Sequence, residues 1–130
     1  MKQYLTFGAT FALLAVIFGA FGTHALKNYL ATAQLHTFEI GVRYQFYHAF
    51  ALILVFALSM LPIGENNRSL LAWAGRCFSV GILLFSGSVY LLACREILPF
   101  SVAYAGPITP IGGAFFIAGW CCILAASLKK

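Results

Sequence analysis

The run from Tyr44 to Gly64, YQFYHAFALILVFALSMLPIG, carries no Asp, Glu, Lys or Arg over 21 residues. A helix that crosses the hydrocarbon core of a bilayer needs about 20 mostly apolar residues, so this stretch is long enough for one crossing. On either side of it lie three more charge-free runs: Gln3 to Leu26, Cys77 to Cys94 and Ile97 to Leu128, of 24, 18 and 32 residues. A membrane β-barrel would instead show alternating segments of about ten residues. Only 8% of the 130 residues are charged, against about 25% in an ordinary soluble domain. With 62% hydrophobic residues and a mean hydropathy of +0.93, a soluble fold is excluded. The pattern predicts an all-α integral membrane protein, a single membrane domain over residues 1–130. Its four transmembrane helices fall at about 4–22, 44–62, 77–94 and 110–128, with an amphipathic interfacial helix between the first two.

Small residues recur inside these runs. Gly8, Ala12, Ala15 and Gly19 follow one stripe of the first helix, and Gly19 to Gly22 closes it. Gly81 and Gly87 lie in the third helix, and Gly112, Gly113 and Gly119 in the fourth. Such positions let helix backbones approach closely where lipid provides no hydrophobic driving force. Ser86 and Ser88 flank Gly87, where their hydroxyls can bond back to the helix or across to a neighbour. Pro62 and Gly64 are expected to end the second helix. The 32-residue run is too long for one simple span. Pro99, Gly106, Pro107 and Pro110 punctuate its first half, so Ile97 to Pro107 reads as a loop or interfacial segment. Thr109-Pro110 then reads as an N-cap followed by proline at the first helical position.

The N-terminal apolar run from Leu5 to Gly22 spans 18 residues, longer than the 7–15 of a secretory signal, and predicts a retained first helix. The net charge of +5 does not imply nucleic acid, because no basic cluster exceeds Lys129-Lys130. Positive residues sit between the runs, where they meet lipid head groups and set orientation. Lys2, Arg68, Arg76, Lys129 and Lys130 fall on one side, Lys27, Arg43 and Arg95 on the other. That bias predicts a multi-pass protein of the cell inner (plasma) membrane with both termini cytoplasmic. Cys77, Cys94, Cys121 and Cys122 form no CxxC pair and no zinc-type spacing, so they read as small packing residues.

The segment Thr23 to Arg43 is the longest polar gap and holds two of the three histidines. Thr32 can cap a helix that runs without proline through Leu61. Leu35, Phe38, Val42 and Phe46 share one face, with His36, Glu39, Arg43 and Tyr47 a quarter turn away, which predicts an amphipathic lead-in at the interface. Glu39 and Arg43 stand at i and i+4 in the favourable order for an ion pair. That pair suits either a structural clamp or one wall of a polar site at membrane depth. His24 and His48 fall near the same hydropathic edge and are expected to be able to meet across a helix pair, where a bis-histidine haem is a minor possibility. No aspartate occurs, Glu39, Glu65 and Glu96 lie in or beside loops, and neither a GxSxG elbow nor a phosphate loop is present.

Four blocks of this sequence resemble the transmembrane protein 256 / domain of unknown function 423 family. They are Gly19-Ala20-Phe21-Gly22-Thr23-His24-Ala25-Leu26; Phe38-Glu39-Ile40-Gly41-Val42-Arg43-Tyr44-Gln45-Phe46-Tyr47-His48-Ala49; Phe85-Ser86-Gly87-Ser88; and Ile108-Thr109-Pro110-Ile111-Gly112-Gly113. Their order and spacing cover nearly the whole chain; Thr23 stands where the family pattern usually has Ala. The resemblance implies a small multi-span membrane protein, bacterial or organellar, and supplies no reaction. It places His24, Glu39, Arg43, Tyr44, Gln45 and His48 inside family motifs, and these form the candidate polar site. The expected function is a non-enzymatic helical bundle, without cofactor or metal, that binds a lipid, a small hydrophobic molecule or a partner membrane protein, with homo-oligomers possible. A small oligomeric transporter or channel is the alternative, and a redox or haem protein a weaker one.

Overall fold

A computed structural model describes residues 1–129, and every regular element among them is helical. Four helices are long and apolar enough to cross a membrane: Lys2–Leu26, Thr32–Ser59, Arg68–Ala93 and Ala105–Leu128. They are called the first to fourth helices below. A short helix, Pro62–Asn66, with proline at its start, links the second to the third.

Cross-helix neighbours give the directions. Gly22 lies against Phe38, Gly19 against Val42, and Gly8 against the backbone of Ala49 and Ile53, so the first two helices run antiparallel. Between the second and third, Gly41 meets Val89, Tyr44 meets Phe85 and His48 meets Phe78, again antiparallel. Gly81 with Phe116, Phe85 with Gly112, and Phe78 with Gly119 set the third against the fourth in the same sense. The first and third run parallel: the Tyr4 hydroxyl donates to Ala72 O at 2.8 Å near one end, and Phe18 packs edge-on to Tyr90 near the other. The result is an up-down-up-down bundle whose interior is filled by Leu52, Val55, Leu71, Phe78 and Ile82.

Two π-turns interrupt the helices, at Phe18–Gly22 in the first and Ile82–Ser86 in the third. Each adds one residue to a helical turn and rotates the facing of the residues beyond it. The second of them lies where the fourth helix comes closest: a Cβ on Gly112 would run into the backbone nitrogen of Phe85, with its Cα only 2.7 Å away.

Several expected boundaries move. The lead-in over Thr32 to Arg43 is not a separate interfacial helix that turns at the membrane. It is continuous with the span, in one helix of 28 residues. At 1.5 Å per residue that is about 42 Å, some 12 Å longer than a hydrocarbon core, so one end projects into the head-group layer without a bend. Ala31, not Thr32, occupies the cap position, and the Gln34 side chain supplies the missing acceptor by taking Ala31 N–H at 3.1 Å. The first helix continues to Leu26, so Gly19 to Gly22 forms a π-turn and not an end. The third helix begins at Arg68, because its charged first turns need not lie in hydrocarbon. The fourth begins at Ala105, so Thr109 is no cap and Pro110 lies inside the helix. Thr109 Oγ1 bonds Ala105 O at 3.3 Å and Ser88 Oγ at 2.7 Å instead.

The glycine expectations divide. Gly8, Gly19, Gly22, Gly81, Gly112 and Gly119 do sit at close approaches, whereas Gly87 has open space and Gly113 only an ordinary contact with Phe85 at 3.9 Å. Gly41 under Tyr90 and Gly75 under Tyr4 are equally tight. All four cysteines are free thiols. Lys130, counted above among the charges of the C-terminal side, lies outside the described residues.

Candidate functional site

The second helix organises the polar residues. Its buried positions Gln34, Phe38, Gly41, Gln45, His48, Leu52 and Val55 alternate at spacings of four and three. This is one face of an α-helix, and it differs from the Leu35–Phe38–Val42–Phe46 face expected from hydropathy. In lipid the polar and small side chains turn inward, because only other helices can satisfy them.

Gln45 is 3% exposed. Its Nε2 donates to Phe11 O at 2.8 Å and its Oε1 accepts from the Tyr90 hydroxyl at 2.8 Å. One amide therefore ties the first, second and third helices together, and it has no capacity left pointing at a ligand in these two directions. Ser86 Oγ donates to Gly41 O at 2.8 Å, a second strut between the second and third helices. Gln45 belongs to the frame of the site.

His48, one turn further, is 5% exposed. Its ring stacks on Phe116 with centroids 3.4 Å apart and planes 5° from parallel. Nδ1 lies 2.8 Å from Tyr44 O, an acceptor, so Nδ1 carries the proton. Nε2 then accepts from the Trp120 indole N–H at 3.3 Å, a donor with no acceptor capacity. Both nitrogens are engaged and the imidazole is held neutral in one tautomer. A proton on Nε2 would set two donors against each other.

Around this ring opens a groove of about 590 Å³ between the second, third and fourth helices, lined by Tyr44, His48, Phe85, Pro110, Phe116 and Trp120 among others. Tyr44 and Trp120 are 40% and 44% exposed. The Tyr44 ring stands 4.8 Å from Phe85, and its hydroxyl makes no hydrogen bond among the described residues. The groove is thus aromatic on its walls, with one phenol at its edge.

Glu39 and Arg43 are elsewhere. They line a separate groove of about 360 Å³ between the first and second helices, with Ala15, Val16, Gly19 and Phe46. The expected Glu39–Arg43 ion pair is not formed; among the described residues the one carboxylate–base approach within 4.0 Å is His36 Nδ1 to Glu39 at 3.9 Å. Exposed partners gain little by closing such a pair, since water already solvates both and the side chains lose entropy. His24 is exposed and level with the outer end of the second helix, since Gly22 faces Phe38. Twelve residues of helix, about 18 Å, separate that level from His48, so the two histidines do not meet and cannot share a haem. Among the described residues no group of His, Cys, Asp or Glu could hold a metal ion.

The structure therefore splits the expected polar band. Tyr44 and His48 face the aromatic groove, Glu39 and Arg43 the other one, Gln45 lies in the frame between them, and His24 stands apart. Phe85, Phe116 and Trp120 were not among the expected site residues. The i, i+4 spacing of Phe116 and Trp120, one turn beyond Gly112-Gly113, is the signal that points to them. Asn67 was also missed: it is 3% exposed and its Nδ2 donates to Ile63 O and Ala126 O, each at 3.2 Å, tying the start of the third helix to the end of the fourth.

Comparison with known proteins places the chain. A family profile described as "Protein of unknown function (DUF423)" matches residues 18–113. A UPF0382 membrane protein of Staphylococcus haemolyticus is 36% identical over 129 residues, covering 99% of this chain and 98% of its own. UPF0382 membrane protein YwdK of Bacillus subtilis is 38% identical over the same span, with the same coverage. No solved structure matches significantly.

Proposed function

The chain belongs to the DUF423 family of membrane proteins, and on that premise we propose that it binds a flat, apolar, ring-bearing molecule drawn from the lipid phase and is not an enzyme. The observation that carries this reading is the aromatic groove. Its volume, about 590 Å³, falls inside the range of about 300–1,000 Å³ typical of small-molecule sites. Phe85 and Trp120 offer ring surface for stacking beside the buried Phe116–His48 stack, and the Tyr44 hydroxyl can donate to one oxygen on the ligand. A binding role rather than a chemical one is supported by His48. Its two nitrogens are committed to Tyr44 O and Trp120, so it offers no base to a substrate. What weighs against a conduit within one chain is the interior, filled by Leu52, Val55, Phe78 and Ile82.

The setting proposed is the inner (plasma) membrane with both termini cytoplasmic, on the charge bias described above. The test uses Trp120 as its own reporter in a Trp73→Phe background. Flat aromatic hydrophobes should quench its emission saturably, and Phe85→Ala should weaken that quenching about tenfold, the loss of one or two stacking contacts. Quenching that rises linearly and equally with brominated alkyl chains would show a groove filled by bulk lipid, and would sink the proposal.

A further inference from the structure

The groove between the first and second helices has a different chemistry. Its walls are Ala15, Val16 and Gly19 from the first helix and Phe38, Val42 and Phe46 from the second, and its polar members are Glu39 and Arg43. These two charges have opposite signs, face the same groove, and do not pair with one another. Glu39 has 43% of its side chain exposed, and His36, its neighbour one turn away at 3.9 Å, is too distant for a hydrogen bond. Arg43 makes no ion pair or hydrogen bond among the described residues. An acid and a base side by side at a membrane edge, open to the outside and not paired with each other, can receive a ligand that carries the complementary signs.

Their order along the helix is informative. The second helix runs from a polar beginning into the charge-free segment that starts at Tyr44. Arg43 is therefore the deeper charge and Glu39 the shallower, separated by four residues, about 6 Å along the axis. A zwitterionic phospholipid has the same order. Its phosphate lies next to the glycerol and acyl chains, and its ammonium lies further out.

We propose that this groove binds one phospholipid with an ethanolamine-type headgroup. Arg43 takes the phosphate through its forked guanidinium, Glu39 accepts N–H bonds from the primary ammonium, and an acyl chain descends along Val16, Val42 and Phe46. A trimethylated headgroup lacks the N–H donors that Glu39 would accept and is instead suited to a cage of aromatic faces. A glycerol headgroup brings a phosphate but no cation, so it leaves Glu39 without a partner. This site is distinct from the aromatic groove and stands or falls without it.

The experiment is native mass spectrometry of the full chain in detergent. Phosphatidylethanolamine, phosphatidylcholine and phosphatidylglycerol with identical acyl chains are supplied in equal amounts. The wild type should retain phosphatidylethanolamine roughly tenfold over the other two, the factor expected of one charge-assisted hydrogen bond. Glu39→Gln should erase the preference over phosphatidylcholine while binding persists, and Glu39→Lys should shift retention toward phosphatidylglycerol. Arg43→Gln should lower retention of all three. Val16→Trp should lower phosphatidylethanolamine retention with both charges intact, and circular dichroism should match the wild type throughout. Equal retention of phosphatidylglycerol and phosphatidylethanolamine by the wild type would overturn the proposal. So would an unchanged lipid ratio in Glu39→Gln.

Discussion

Trp120 reaches from the fourth helix to donate its indole N–H to Nε2 of His48, at 3.3 Å. That bond and the Nδ1 bond to Tyr44 O at 2.8 Å leave the imidazole one compatible protonation state. Nitrogen-15 NMR of the histidine ring should therefore show a neutral Nδ1–H tautomer for His48. A signal from Nε2–H, or from a doubly protonated ring at neutral pH, would contradict the geometry.

Removing the donor should be felt as stability. Trp120→Phe keeps a ring in the groove but strands Nε2 in a buried position, at a cost of about 1–3 kcal/mol for an unsatisfied group. A lowered unfolding midpoint in detergent checks this, and a midpoint equal to wild type counts against the hydrogen bond.

Gln45 and Tyr90 should be coupled. Gln45→Leu and Tyr90→Phe each remove one end of the 2.8 Å bond between them, so the double variant should lose less than the two single losses together. Interhelical bonds in membranes average about 0.6 kcal/mol in such cycles and reach about 1.7. Additive losses would mean that the bond contributes nothing.

Two glycine substitutions should behave in opposite ways. Gly112→Ala drives a methyl into the backbone of Phe85, which cannot give way as a flexible side chain does. The third and fourth helices must separate, and loss of folded protein on purification is the expected outcome. Gly87→Ala meets nothing within 4 Å and should stabilise by roughly 0.5–1 kcal/mol through helix propensity. Thermal unfolding of the two proteins side by side decides the point.

Asn67→Asp should be more harmful than its near-identical shape suggests. The amide nitrogen bonds two carbonyls, Ile63 O and Ala126 O, at 3.2 Å each. An ionised carboxylate there would face two acceptors in a buried site and leave both carbonyls without their donor, at about 1–3 kcal/mol for each buried group left unsatisfied. Asn67→Asp unfolding at the wild-type midpoint would show that the amide does not tie the helices.

The number of helices was legible because charge is excluded from hydrocarbon, and four charge-free runs can be counted without any structure. Their ends were less legible. Arg76 is the ninth residue of the third helix yet sits exposed over the Trp73 ring at 5.1 Å, the kind of pairing an interface tolerates. A rule that stops a helix at its charges stops too early. Pro110 misled for a related reason: proline starts helices in water, but within a packed bundle a helix can run through it.

The site was half legible. His48 stands out as a polar residue in an apolar helix, and Tyr44 entered through the family resemblance; both lie at the aromatic groove. Their grouping with Glu39 and Arg43 failed, since residues 43 and 44 point about 100° apart around the helix and line different grooves. The stripe Gln34–Gly41–Gln45–His48 was visible in the spacing, but hydropathy pointed to the wrong face. Trp120 and Phe116 come from another helix, and nothing local ties them to His48.

The third and fourth helices exchange glycine for phenylalanine three times: Gly81 with Phe116, Gly112 with Phe85, Gly119 with Phe78. The Phe116 and Phe78 rings each occupy a notch in the facing helix, Gly112 makes room for the backbone of Phe85 itself, and the glycines alternate between the two helices. Sliding one helix by a single turn, about 5.4 Å, would misalign all three at once. The two helices therefore have one setting, like a key in its ward, and a molecule entering beside Phe85 and Phe116 meets a wall that cannot be reset. Any breathing that admits it must come from the other half of the bundle.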